Sequence, residues 1–552
     1  MQIRYLFSTI LALLLTAFVV HASEETAASN VRLYDDLGTL EHPVTTDSSD
    51  AQAYFNQGLR LSFGFWWDEA ARSFKEATRL DPDCAMAYWG VALALGPYVN
   101  DAVGSDPEGA LAAIQKAQEL AGNASEEERA YIHALSARHA DDLNARRAEL
   151  DMAYANAMRE LTKAYPDDLD AATLSAAALM NTHRWNYWDE DGEPREGTQE
   201  TVERLESVLA RNPDHSGAIH YYIHTVEASP NPDRAVPFAD RLGPSMPGVA
   251  HLQHMPGHIY LQVGQYKKAA DSNIDAVVVD ERYIEEMGAE YKSMMPSYAH
   301  NAHFIWSAST FEGRSDSAIA AALKTRDAIM GAHRQAIAMS TWVQKHAAVP
   351  LFAYVRFGRW DEILREPAPP SDLVMVQGMW HYARGIAYDA LEELDNARAE
   401  LAELDRIAES EELQKMMGMV FAPKYTSGGV VAVASNILRA EILATEGNLD
   451  EAIRVMEIAV RHQDELGYME PPAWHYQVRL SLGALLLQAG RAEEAEAVYV
   501  KALEKFRENG WALFGLLESL RAQGKTREAR AVEARFRKSW ALADVVLTSS
   551  RF

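Results

Sequence analysis

Residues 54–82, YFNQGLRLSFGFWWDEAARSFKEATRLDP, set Gly58, Ala70, Phe74, Ala77 and Pro82 at the intervals of two short helices packed face to face. Small residues at the contact let the backbones approach, and a proline, lacking a backbone donor and clashing with the preceding turn, stops the second helix. The pattern returns at Gly257, Tyr260, Gly264, Ala269 and Ala276, at Gly385, Tyr388 and Ala397, at Gly447, Ala452 and Ala459, and at Gly483, Gly490, Ala495, Tyr499 and Ala502. Weaker versions occupy 161–171 and 311–323, and strand-like alternation is nearly absent. One such unit cannot bury its own apolar faces, so neighbours must stack. The chain is therefore predicted to be all-α from about residue 50 to 540, with irregular insertions near 98–107, 184–198, 281–296 and 409–429.

This spacing resembles the tetratricopeptide repeat, a helix-turn-helix unit of about 34 residues whose tandem copies wind into a superhelix. The resemblance implies an α-solenoid with N-terminal repeats at 50–212, a histidine-rich central section at 213–331, C-terminal repeats at 332–540 and a tail at 541–552. For function it implies little, since the fold usually binds proteins or peptides and only rarely performs chemistry.

The opening MQIRYLFSTILALLLTAFVVHA, with Arg4 before an apolar run and Ala22 before Ser23, reads as a signal peptide over 1–22, followed by a polar leader at 23–49. Export to the periplasm or the medium is expected. No later stretch approaches the roughly 18 uninterrupted apolar residues of a membrane span. The single cysteine, Cys84, excludes an intramolecular disulfide and reads as a small buried thiol at a helix start. A net charge of −28 argues against nucleic acid or anionic lipid as a partner, because either would be repelled.

Histidines carry the chemical signal. Of eighteen in the chain, eight fall between 215 and 303, and six of these are paired at one-turn spacing: His220 with His224, His254 with His258, and His300 with His303. Such spacing puts two side chains on one helix face, about 5–6 Å apart at Cβ, as a metal ion requires of a helix. Phasing the units from Gly257, Pro213 and Gly313 places the six, and His251, off the core positions. The core positions of one unit become Ile219, Tyr222, Ile223 and Val226, all apolar or aromatic. In proteins of the repeat family the corresponding off-core face lines the concave groove, so the resemblance implies imidazoles from three neighbouring helices converging there.

Around these six, Glu227 stands one turn beyond His224 and is a candidate base, ligand or orienting carboxylate; it is equally a helix-end residue. His251 is a candidate seventh ligand or outer hydrogen-bond partner. Pro256, between His254 and His258, predicts a kink. His183, Trp185 and Trp188 open an insertion and form either an aromatic wall over the groove or a plug between repeats. His346, His381 and His475 lie in other registers and are read as packing or substrate contacts.

Imidazole ligands suit copper, zinc, iron or nickel, with copper or zinc foremost, and disfavour magnesium and calcium. Six histidines exceed the need of one tetrahedral ion, so two ions or one ion with supporting histidines are implied. Three on each of two ions matches coupled dicopper proteins in ligand count alone; two zinc ions with Glu227 as base would suit amide or ester hydrolysis. HExxH and GxSxG are absent, and no glycine pattern sits in a strand-to-helix context that would cradle a nucleotide. The sequence thus predicts an exported metalloprotein, an oxidoreductase or hydrolase acting on a small or peptide-like substrate. The alternatives are a peptide- or protein-binding scaffold whose histidines hydrogen-bond in the groove, and a metal storage or delivery protein.

Overall fold

Helices follow one another in pairs joined by tight turns: Ser49–Phe63 with Trp67–Leu80, Pro296–Phe311 with Ser315–Met330, Val374–Ala390 with Leu394–Ala408, Ser427–Thr445 with Leu449–Glu465, and Gly510–Ala522 with Thr526–Ser539. The computed structural model describes residues 31–140, 146–288, 296–330, 340–416 and 424–552, so the expected signal peptide lies outside the described residues. Tyr34–Phe552 form one unit. Among the described residues every regular element is a helix, and two isolated bridges, Tyr98 with Asp101 and Trp188 with Pro194, pinch two of the expected insertions. The fold is the all-α, tetratricopeptide-like solenoid that the spacing implied. One expected insertion is shorter than predicted: residues 281–287 continue the helix Tyr266–Met287.

The turn between paired helices repeats one conformation. Gly264, Gly313, Gly358, Gly447, Gly490 and Gly524 each hold a left-handed φ two residues before the second helix, a backbone state that glycine adopts without strain. In the first pair the same position is Phe65, at φ 56°, and in another it is Glu392, at φ 60°.

Two apolar cores meet in the helix Pro296–Phe311. It sends Phe304 and Ala308 into the N-terminal core and Ile305 and Trp306 into the C-terminal one. The superhelix also returns on itself. Tyr266 donates its hydroxyl to the Arg507 carbonyl, Trp511 Nε1 donates to the Thr310 carbonyl, and Tyr283 bonds Glu69. Before the first helix, residues 34–48 lie against the repeats, His42 bonding Asp170 and Thr45 bonding Glu128. Within the tail, the Asp544 carboxylate accepts from the amides of Ser315 and Asp316.

Cys84 is buried at the start of the helix Ala85–Leu95, where burial pushes its thiol up to about 11, the state of an inert packing residue. Among the described residues one helix, Ser427–Thr445, is long and apolar enough to cross a membrane, and most of it is packed inside the protein. A buried repeat helix meets that test by the same composition.

Candidate metal centre

Ser216–Val226, the helix bearing His220 and His224, is buried on every side. Ile219, Tyr222, Ile223 and Val226 are in the core as phased, but the opposite face is covered too, by the turn Phe63–Trp67 and by the helices at 250–262. His220 is 0% exposed, His254 1% and His303 1%. The sequence left open whether the groove closes; at this helix it is a closed interior, covered by those two segments.

The kink expected at Pro256 is present: the chain runs as two short helices, Ala250–His254 and Pro256–Gln262. Gly257 gives the next helix its closest approach, since a Cβ there would stand 2.4 Å from Asn273 Nδ2. That approach brings Asn273 Oδ1 to 2.7 Å from His254 Nδ1. Asn273 Nδ2 donates to the Ala269 carbonyl, which fixes the amide so that its oxygen accepts from the imidazole.

The imidazoles gather as two abutting triads. His220, His224 and His251 bring one nitrogen each within 4.8 Å of one another, and His254, His258 and His300 do the same. Across the boundary the rings of His251 and His254 are 5.7 Å apart and those of His224 and His258 6.0 Å apart. Outer partners set the tautomers. The Phe63 carbonyl takes the Nδ1 proton of His220 at 2.6 Å, Asn273 that of His254, and Glu227 that of His258, with Glu470 paired to the same nitrogen by charge. The Nε2 atoms of these three rings therefore point inward, as in histidines oriented for a metal. His220 Nε2 faces His251 Nε2 at 3.0 Å, His254 Nε2 faces His258 Nε2 at 2.7 Å, and His224 Nε2 has no partner among the described residues. Two imidazoles on one tetrahedral ion at 2.0–2.1 Å would have nitrogens about 3.3 Å apart, so both facing pairs are near the span of a shared ion.

Electrostatics favour neutral ligands. Burial, reinforced by neighbouring imidazoles, holds His220, His224, His251, His254 and His300 well below the usual histidine range. Burial pulls on His258 as well, but Glu227 and Glu470 outweigh it and raise His258 to about 10. With both Nδ1 protons committed, the His254–His258 contact needs a positive charge between two nitrogens; a proton on His258 supplies it, and a cation bound by both rings would supply it equally.

His303 leaves the group expected for it. Its ring turns to Trp306 and His346, 5.0 and 4.7 Å away by centroid. His300, His303 and His346 form a third cluster, with His300 shared. His346, read from sequence as a packing or substrate contact, is thus a neighbour of the centre. Beside it Lys345 is buried and brought down to about 7 by burial, its ammonium 3.1 Å from Met469 Sδ. No sequence spacing links 346 to the central units; only the packing of successive repeats does.

Glu227 reaches His258 with one carboxylate oxygen and lies 3.4 Å from His224 Nδ1 with the other, so it touches both triads. Glu470, absent from the sequence expectations, joins Glu227 on His258 and is itself raised by burial and by the Glu227 charge. A cavity of about 280 Å³ opens here, lined by Glu227, Gln262, Trp306, Tyr468, Glu470 and His475 among others. The two carboxylates are thus shared between the cavity and the histidines.

Around the first triad stand aromatic rings. Phe65, in the turn position that other units give to glycine, lies 4.4 Å from His220 by centroid and stacks on His224 and His251. Trp185 meets His224 edge-on at 4.9 Å, while Trp188 donates to the Thr225 carbonyl, bracing the end of the same helix. His183 ends the helix Leu169–Thr182 and shapes the following turn through its backbone. His381, read as a packing, substrate or supporting contact, pairs with Glu400 at 2.6 Å beside Arg384, within its own helical hairpin.

Fold and site together define a class: an all-α solenoid enclosing a buried polyhistidine cluster able to hold metal. No protein-family model and no curated protein matches the chain. Among solved structures it is similar to the human IFIT1 dimer with m7Gppp-AAAA (13% identity, 82% of this chain and 90% of that one, TM-score 0.33). It is also similar to Cut9 and Hcn1 of the APC/C hetero-tetramer (13%, 78% and 82%, TM-score 0.28) and to Naa15/Naa10 bound to HypK-THB (13%, 89% and 70%, TM-score 0.21). Similarity of this degree says nothing about site or activity.

Proposed function

We propose that this chain is an exported metalloprotein whose two histidine triads hold a dinuclear transition-metal centre, with copper or zinc as the metal and iron also suited to the ligands. The observation that carries this reading is the pair of abutting, largely buried imidazole triads, in which outer partners turn the Nε2 atoms of His220, His254 and His258 inward. His220, His224 and His251 form one set and His254, His258 and His300 the other, with His303 and His346 supporting His300. Export rests on the N-terminal segment alone.

The reading includes catalysis on a small or peptide-like substrate entering the cavity of about 280 Å³. When bound, the metal would supply Lewis acidity or electron transfer according to its identity. Glu227 and Glu470 are placed to move a proton between the cavity and His258 Nδ1, and the raised Glu470 suits the acid. Trp306, Tyr468 and His475 line the cavity and would orient the substrate and limit water. The burial of the histidines speaks against a role as hydrogen-bonding lining of an open peptide groove.

Elemental analysis of the mature protein, purified without chelator or an affinity histidine tag, tests the proposal. About two equivalents of copper, zinc or iron per chain are expected, copper directing assays to oxidation and zinc to hydrolysis. No bound metal, including after incubation with each ion, would overturn it.

A further inference from the structure

On the far side of Phe65 lies a second buried charged cluster that the histidine centre does not use. Arg138, Arg147 and Arg184 surround one carboxylate, Asp151, which is 1% exposed. Arg184 Nη1 bonds Asp151 Oδ2 at 2.7 Å, and its Nε donates to the Tyr98 carbonyl. Arg147 Nη2 sits 3.0 Å from Asp151 Oδ1 as an ion pair and donates to the Arg138 carbonyl. Arg138, 3% exposed, comes no nearer to Asp151 than 3.8 Å and otherwise rests on the Tyr154 ring.

Among the described residues three guanidiniums stand against one carboxylate, an excess of positive charge, and guanidinium stays protonated. Arg138 Nε and Nη2, Arg147 Nε and Nη1, and Arg184 Nη2 have no hydrogen-bond partner among the described residues. Buried cations are ordinarily paired, and unpaired ones are strongly unfavourable. Next to Arg138 is a cavity of about 30 Å³, walled by Trp67, Tyr98, Tyr154 and Phe65 and reached by Asn181. That is room for a few atoms beside Arg138, the one arginine of the three that lines the cavity, whose planar fork matches carboxylate and phosphate oxygens. His139, buried beside the cluster, is held down to about 3 by burial and by Arg138 and Arg147, so it adds no charge.

We infer that Arg138, Arg147 and Arg184 form a buried oxoanion site, which takes a carboxylate, phosphate or sulfate group either as a free ion or as the head of a larger molecule. The bound oxoanion supplies the countercharge that Asp151 alone does not, and accepts from the guanidinium nitrogens left without partners. Phe65 separates this site from His220, His224 and His251, so it stands or falls whatever metal the histidines hold.

Isothermal titration of the full chain with inorganic phosphate and with acetate, at low and constant ionic strength, is the test. Saturable binding of at least one anion at one site per chain is expected, weakened at least tenfold in Arg138→Met and also in Arg184→Gln. Preference for acetate would assign a carboxylate head and preference for phosphate a tetrahedral oxoanion. Absence of saturable binding of either anion, or unchanged affinity in a folded Arg138→Met, would overturn the inference. Should Arg138→Met not fold, the partly exposed Arg184 provides the same test through Arg184→Gln, where unchanged affinity would equally overturn it.

Discussion

Glu470 Oε2 lies 2.7 Å from His258 Nδ1, so a residue of the C-terminal repeats forms an ion pair with a histidine in the central ones. A carboxylate on the outer nitrogen of a liganding imidazole raises its basicity, and removing such a partner typically weakens metal binding about 10–100-fold. Glu470→Gln is therefore expected to lower metal affinity about tenfold while leaving the metal count at saturation unchanged, measured by competition with a chelator. Glu227→Gln, which touches both triads, should weaken both sets of ligands.

Grouping into two triads predicts separable losses. His254→Ala with His258→Ala should remove about one equivalent of metal and leave the other, and His220→Ala with His251→Ala should do the converse. Circular dichroism should show helicity retained in both. His381→Ala should lose none, since that ring is held by Glu400 in another unit. Loss of both equivalents in either double variant would instead indicate a single shared ion.

How much of this was legible in the sequence depends on distance along the chain. The helical pairs were readable because glycine and alanine at Gly257, Gly264 and Ala269 report a local packing rule. The paired histidines were readable because one-turn spacing is local too. His251 and His346 were harder to place, as their positions follow from how neighbouring repeats pack. Glu470 left no local signal, because its approach to His258 comes from the return of the superhelix. Closure of the groove was likewise not legible: phasing identified the core face of Ser216–Val226 but left open whether the other face would be covered.

The turn position shared by Phe65 and Glu392 separates strain from packing. A non-glycine residue in the left-handed region costs about 1–2 kcal/mol, partly offset in glycine by its greater chain entropy. Exposed Glu392 makes no compensating core contact, so Glu392→Gly should stabilise the chain by up to about 1 kcal/mol. Phe65→Gly should destabilise it despite the same backbone relief, because the ring packs on His220, His224 and His251. Urea unfolding of the two variants beside the parent measures both signs.

Away from the histidine triads, the network of His42, Asp170 and His215 predicts a pH dependence of stability. Asp170 is buried, and although burial alone would raise it, His215 and His42 bring it down to about 2. A carboxylate depressed in the folded state stabilises above its unfolded value, near 3.9, and loses that contribution as pH falls through the folded value. The effect is on the order of 2 kcal/mol, lost between about pH 4 and pH 2. His42 shifts oppositely: burial lowers it, but Asp170 outweighs burial and raises it above its ordinary value of 6.5. Its contribution is full below that value and declines as pH rises through the raised one. The network therefore stabilises most between about pH 4 and pH 6.5, and it ties the segment before the first helix to the repeats. Urea unfolding across about pH 2 to 9 should show two declining limbs, and Asp170→Asn should flatten both; an unchanged profile in that variant would place the pH dependence elsewhere.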